Sequence, residues 1–363
     1  MLLFCFLIIS YVYVTDSAHF FVIVNQIFGL TAFVIYLVKG KMKVSWLVPT
    51  VLLMSSVLVS SILISRSPFG FGNIVNVVSA SGIAILVLRN RLYMNIILIW
   101  FFLVTGYYFW LILQGVHPDL AHSTNNSRNS ISVHMLFVTS TIYILYYLNR
   151  MNFPWWPAFL FLVISLWAIG RGGILTSSIL FFSFFYIRLK YVFKRRRIWS
   201  LILLGLPVFL FIGNNVVVFF NDIVELERTV NDALSRTELT SSRNEILVDY
   251  FEKSTLIDFI IGQDLYKGVM WHEWGANTHN SFVSLNAYAG LFGFVGFFYW
   301  IYVNIGLFRL NFILGILMFI VFIRLMTEYV VWFSVFDYLP FLFIYLYAEM
   351  KDKMKMDVKP GGI

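Results

Sequence analysis

The sequence predicts an all-α, polytopic integral membrane protein, with about twelve transmembrane helices and one large outward loop that carries an amphipathic helix. Three observations predict it. The 363 residues are 60% hydrophobic and only 12% charged, where a soluble domain carries roughly twice that charged share. Apolar runs of about 18 residues or more recur along most of the chain, each long enough to cross a bilayer as a helix; a β-barrel would show short alternating segments instead. The basic residues fall mainly in alternate connections between those runs, as the positive-inside rule requires of a multi-span chain.

The spans read at 2–15, 18–38, 44–65, 72–88, 92–114, 129–149, 154–170, 173–193, 198–220, 279–308, 310–327 and about 330–349. The first run, MLLFCFLIISYVYV, has no basic n-region and no small-residue cleavage site, so it reads as a retained span and not a signal peptide. It holds Cys5, the chain's single cysteine, which excludes an internal disulfide and a thiolate metal cluster. Lys39, Lys41 and Lys43 separate the second and third spans, and SRSPFG makes the next turn. Arg89 and Arg91 follow the fourth span, a polar stretch ending at Arg128 follows the fifth, and Arg150 closes the sixth. GRGG divides two short runs, and a cluster from Arg188 to Arg197 closes the eighth. Arg309 and the lysines of the 351–363 tail complete the basic side, whose acids are only Glu349, Asp352 and Asp357. Both termini are therefore expected in the cytoplasm, and the net charge of +8 is a topology signal and not a nucleic-acid footprint. The whole chain, 1–363, reads as a single membrane domain with no internal repeat, and KPGGI reads as a disordered tail.

The 221–278 segment then faces outward. SRNE, Ser242 to Glu245, has the capping-box pattern and predicts a helix from about Arg243. Ile246, Leu247, Tyr250 and Phe251 recur at helical spacing, with Asp249, Glu252 and Lys253 on the other face. Such a helix lies against the membrane or covers a cavity between spans.

Four outward arginines stand at span ends or helix starts: Arg66, Arg128 in STNNSRNS, Arg171 in GRGG, and Arg243. Arginine suits phosphate because its planar guanidinium donates as a fork and stays charged, and a helix N-terminus adds oriented N–H donors. The run before Arg171 is short for a bilayer, which places this arginine below the headgroups, where an ionisable residue is a functional candidate. Gly172 and Gly173 permit a tight reversal and close backbone approach to a ligand. Arg66 reads more simply as a snorkelling residue. Arg228 and Arg236 balance nearby acids, and Arg324 with Glu328, at (i, i+4), reads as an intrahelical ion pair. For Arg128 and Arg171, lipid phosphate and a functional anion both fit.

His134 lies inside the sixth span and reads as a packed, hydrogen-bonded histidine; His19, His117, His122 and His272 read as loop residues. No pair has zinc-site spacing and no nucleophile elbow is present, so neither a metal nor a cofactor is implied. His279 differs in its setting. It stands in NTHNSF, where a polar loop meets an apolar run. A neutral imidazole is the usual general base near pH 7, and Asn280 beside it is placed to fix the ring or a substrate hydroxyl.

The series SRNEIL, GQDL, NTHNSF and AYAGLFGF, with GRGG upstream and a long loop before the last spans, resembles the O-antigen ligase/polymerase superfamily, most closely its Wzy-type polymerases. The resemblance implies a metal-independent, inverting integral-membrane glycosyltransferase of the bacterial inner membrane, with its active site facing the periplasm. Donor and acceptor would be undecaprenyl-diphosphate-linked oligosaccharides, with membrane lipid as surroundings and a chain-length regulator protein as a further expected partner. By position, Arg171 and Arg243 match the family's diphosphate-binding arginines and His279 its base, while Arg128 joins them from its location alone. The polymerase would pass the growing glycan to the next lipid-linked repeat unit. A ligase would pass it to a lipid A core. A lipid-linked oligosaccharide flippase is the alternative outside the enzymes, but flippases and other transporters tend to hold ionisable residues near the midplane and often have related halves.

Overall fold

Long runs of leucine, phenylalanine, isoleucine and valine without interior charge satisfy their backbone internally only as helices when water is absent. In the computed structural model every regular element among the described residues is helical. The structure describes residues 19–64, 69–89, 94–121, 128–192, 238–267, 278–328 and 336–357, with 270, 272, 273, 275, 276 and 334 besides.

In chain order the helices are α1 (His19–Val38), α2 (Val44–Leu63), α3 (Phe69–Arg89), α4 (Met94–Leu113), α5 (Arg128–Leu148), α6 (Trp156–Trp167) and α7 (Arg171–Val192). They continue with α8 (Glu238–Lys253), α9 (Leu256–Ile261), α10 (Ser281–Ala289), α11 (Leu291–Leu310), α12 (Phe312–Thr327) and α13 (Tyr338–Asp357). Six of these are long and apolar enough to cross a membrane, namely α2, α3, α4, α5, α7 and α11. The described part of α1, α6 and α12 are shorter apolar helices. The spans expected at 2–15 and 198–220 lie outside the described residues, as do Arg66 and the Arg195–Arg197 cluster.

Burial separates core helices from peripheral ones. In α5, 94% of the apolar window is buried, against 28% for α2 and for α11, so α5 is the central helix and the other two present one side outward. Around α5 pack α4, α6, α7 and α12; α3 joins α1, α2 and α13; and α10 sits against α2, α11 and α12. The basic ends gather on one side. Arg89 donates to the Lys41 carbonyl and lies over the Trp46 ring, and Lys43 pairs with Asp352 at 3.6 Å.

Four expectations change. The 279–308 span is two helices, because Gly290 (φ +58°) ends α10 and starts α11. A Cβ there would overlap the Ile260 carbonyl, so this left-handed break is reserved for glycine. Second, α8 begins at Glu238, which puts Ser242 and Glu245 inside the helix and not at its cap. The capping box stands instead at Thr255 and Asp258, opening α9. Third, the last helix runs from Tyr338 to Asp357, so the first part of the expected tail is helical. Fourth, Gly172 and Gly173 lie in the first turn of α7, and the reversal precedes them, at Ile169 (φ +54°).

Candidate functional site

Three helices start and one ends at the end of the bundle opposite Lys43, Arg89 and Asp352. Arg128 opens α5 and Arg171 opens α7; α10 begins after its N-cap, Asn280, and α12 ends against its C-cap, Glu328. The helix before Arg171, α6, is short. Its 12 residues rise only about 18 Å, well short of a hydrocarbon core of about 30 Å.

Arg324 stands at the centre, 1% exposed. Its Nη2 donates to the Asn129 carbonyl and to Ser132 Oγ, each at 3.2 Å, and Ser132 Oγ donates to the same carbonyl at 2.9 Å. The GRGG glycines are what admit this guanidinium. A Cβ on Gly172 would overlap Arg324 Nη1, and one on Gly173 would overlap Ser132. Gly170 lies against Asn129 Oδ1, so the starts of α5 and α7 are neighbours. That juxtaposes the two positions occupied by Arg128 and Arg171. The side chains of Arg128, Arg171 and Arg243 themselves lie outside the described residues.

Glu328 is the second centre. It stands in extended backbone (φ −146°, ψ 149°) beyond the last turn of α12, so its (i, i+4) spacing from Arg324 is not that of two residues on one helix face. Oε1 accepts from Asn129 Nδ2 at 3.1 Å, and Oε2 lies 3.9 Å from His279 Nδ1. The Glu328 carbonyl accepts from Ser281 Oγ at 2.8 Å. Arg324 and Glu328 thus tie α12 to α5 and α10, and the intrahelical reading gives way to a link between helices. The Glu328 side chain is 13% exposed and the His279 imidazole 35%, so the ring stands open with the carboxylate behind it.

The loop places His279 in the left-handed region, at φ +46°, a conformation histidine adopts more readily than most non-glycine residues. Ile169, two residues before Arg171, has φ +54°, a rarer state for a β-branched residue. Ala276, three residues before His279, is also left-handed (φ +62°), and so is Arg150 beyond the far end of α5 (φ +56°), so the conformation is not confined to this end. Neighbouring bonds hold the loop: Thr278 Oγ1 donates to the Asn280 carbonyl at 2.8 Å and pairs with Ser284 Oγ. Asn280 is fully engaged as a cap. Its Oδ1 accepts from Phe282 N and Val283 N at 2.9 and 3.2 Å, and its Nδ2 donates to the Met326 carbonyl at 3.1 Å. These bonds give it a positioning role beside His279.

The 238–267 segment docks at the far end of α10. Tyr250 Oη donates to Asn286 Oδ1 at 2.6 Å, and Ile246 and Tyr250 are buried with Leu265, Val283 and Ala287. Phe251, expected on the same face, is 45% exposed. Gly262 of GQDL (φ +95°) lies against the Ala287 carbonyl, and Gln263 N donates to that carbonyl at 2.9 Å. Arg243 sits two turns before Tyr250, about 10 Å along α8. His134 is apart from the site. It is fully buried, with Nδ1 3.4 Å from Tyr108 Oη and the Trp100 ring edge-on at 5.5 Å, a packed histidine as expected.

Sequence position alone does not mark Asn129, Ser132, Arg324 or Glu328 for function. Two charges at the end of an apolar run carried the signal, but a local ion pair explained them more simply. No family model, curated protein or solved structure matches the chain.

Proposed function

We propose that this protein is a polysaccharide (O-antigen) polymerase of the metal-independent integral-membrane kind. It would transfer a glycan from undecaprenyl diphosphate to the next lipid-linked repeat unit at the periplasmic face of the bacterial inner membrane. The observation that carries the reading is the convergence at one bundle end. The helix starts at Arg128 and Arg171 meet around the buried Arg324, next to a half-exposed imidazole backed by a carboxylate. Helix N-termini and guanidinium groups suit an anion, and a carboxylate-backed histidine suits proton abstraction.

In the proposed step the acceptor hydroxyl oxygen attacks the anomeric carbon from the face opposite the diphosphate. The new glycosidic C–O bond forms as the bond to the diphosphate oxygen breaks, which inverts the configuration. His279 takes the hydroxyl proton and Glu328 stabilises the imidazolium that results. The leaving diphosphate departs as an anion, so it needs charge stabilisation more than an acid. Arg171, Arg243 and Arg128 supply it together with the first-turn N–H groups of α5 and α7. Phe282 and Val283 N–H are already taken by Asn280, so two of the first-turn donors of α10 are not offered to the diphosphate.

The test is the purified protein with lipid-linked repeat units, without nucleotide, read as glycan length on a gel. A ladder supports the polymerase. Transfer to lipid A core without a ladder indicates a ligase. Movement of the lipid-linked unit across vesicles without any transfer indicates a flippase.

A further inference from the structure

The short helix α9 leaves an apolar face uncovered. Leu256 is 75% exposed, Ile257 65% and Ile260 47%. Four observations say what covers it. The helix packs against two membrane-length helices that carry outward-facing apolar residues of their own: Val59, Ile62 and Leu63 at the end of α2, and Leu291, Phe292 and Val295 at the start of α11. The Phe259 ring stacks on Phe294 of α11 at 4.4 Å.

Depth is the second observation. The 20 residues of α11 rise about 30 Å, the thickness of the hydrocarbon layer. The Ile260 carbonyl packs on Gly290, immediately before α11 begins, so the C-terminal end of α9 lies level with the hydrocarbon boundary. Gly262 approaches Ser60, three residues inside the end of α2, which agrees with that level.

The third observation is that several polar groups at both ends of α9 have protein partners. A segment in contact with lipid cannot leave backbone groups to water. At the start of α9, Asp258 N donates to Thr255 Oγ1, and Thr255 N donates to Asp258 Oδ2. At its end, Gly262 N donates to the Asp258 carbonyl, and Asn286 Nδ2 donates to the Phe259 carbonyl at 3.1 Å. The fourth is composition: between Ser254 and Gln263 the single ionisable residue is Asp258, whose carboxylate is engaged in the cap.

We propose that α9 is embedded at the acyl–headgroup boundary of the bilayer, with Leu256, Ile257 and Ile260 among lipid chains. The 254–263 turn is then a membrane-anchored base for the outer segment. It is tied to α8 through Ser254 Oγ, which donates to the Tyr250 carbonyl and accepts from Gln263 Nε2, and to α10 through Asn286, whose Nδ2 donates to the Phe259 carbonyl while its Oδ1 accepts from Tyr250 Oη. This inference needs the chain to be in a membrane but does not depend on the reaction it catalyses.

The test places a nitroxide at Ile257→Cys, at Leu256→Cys and, as the aqueous reference, at Lys267→Cys, whose side chain is 71% exposed. Each full-length variant carries Cys5→Ala and is reconstituted in phospholipid vesicles. Power-saturation is read with oxygen, which concentrates in lipid, and with a neutral nickel chelate, which stays in water. The expected result is oxygen-dominated relaxation at 256 and 257 and nickel-dominated relaxation at 267. Nickel-dominated relaxation at 256 and 257 would put α9 in water and overturn the proposal. Exclusion of both reagents would show protein covering this face, and would overturn it equally.

Discussion

At the scale of single residues, the site divides into groups that would touch substrate and groups that hold them. In the proposed mechanism His279 belongs to the first. His279→Ala should fold, since the ring is 35% exposed, and should still bind lipid-linked donor. It should elongate glycan at least ~10²-fold more slowly, the usual loss of a general base. Near-normal chain growth at matched protein level would remove the imidazole from the mechanism. In the proposed mechanism Glu328 acts through His279. Glu328→Gln keeps the shape and an acceptor for Asn129 but removes the charge that stabilises an imidazolium. Its kcat should fall at least ~10-fold, yet less than for His279→Ala, with donor KM little changed. A change confined to KM would assign Glu328 to binding. Arg324 is different again. It is buried, and its guanidinium bridges α12 to the start of α5. Arg324→Met should lose two charge-assisted hydrogen bonds, about 1.5–3 kcal/mol each, and appear first as lower thermal stability in detergent. Arg171→Lys and Arg243→Lys should shorten the polymer while folding normally, because a point charge cannot replace a bidentate fork. Unchanged polymer length in both would reject the diphosphate role.

At the scale of elements, glycines decide where helices break and how closely they meet. Gly290→Ala would force a side chain into left-handed backbone and against the Ile260 carbonyl. The cost should be about 1–3 kcal/mol, read as a lower Tm and as faster proteolysis of the 238–267 segment once α9 loses its seat. An unchanged melt would mean that α9 docks independently of this break. The same residue shows what the sequence could not disclose. Hydropathy joins His279 to Phe308 in one apolar run, because Gly290 is as apolar as its neighbours; only the carbonyl that packs on it makes it a break. Ser242 and Glu245 fit a capping box locally, yet the helix extends past them to Glu238, and local spacing cannot weigh that continuation. Where the signal is a long run ended by a charge, as for α2, α3, α4, α5 and α7, the boundaries were legible to within a few residues. His279 was legible because a titratable ring at the edge of an apolar run is costly. Glu328 was not, because its partner is 49 positions away in the chain and sequence spacing offered Arg324 first.

At the scale of the whole molecule, the charge pattern argues for an orientation. Lys41, Lys43, Arg89, Lys351 and Asp352 gather at one end through Arg89 to the Lys41 carbonyl, Lys43 to Asp352, and Lys351 to Tyr302. His279, Glu328, Asn129 and the start of α7 meet at the other. Short basic connections are retained on the cytoplasmic side because moving lysine and arginine across the membrane opposes both desolvation and the membrane potential. The basic end should therefore face the cytoplasm and the site end the periplasm, where a lipid-linked donor would be met. Cysteine scanning on a Cys5→Ala background checks this with a membrane-impermeant thiol reagent on intact spheroplasts. Asn231→Cys, in the long outer segment, should label without permeabilisation. Arg196→Cys, in the basic cluster, should label only after the membrane is opened. Labelling at Arg196→Cys but not at Asn231→Cys in intact spheroplasts would invert the molecule. The His279 end would then face nucleotide-linked sugars instead of periplasmic lipid-linked ones, and the proposed donor would have to be abandoned along with the orientation.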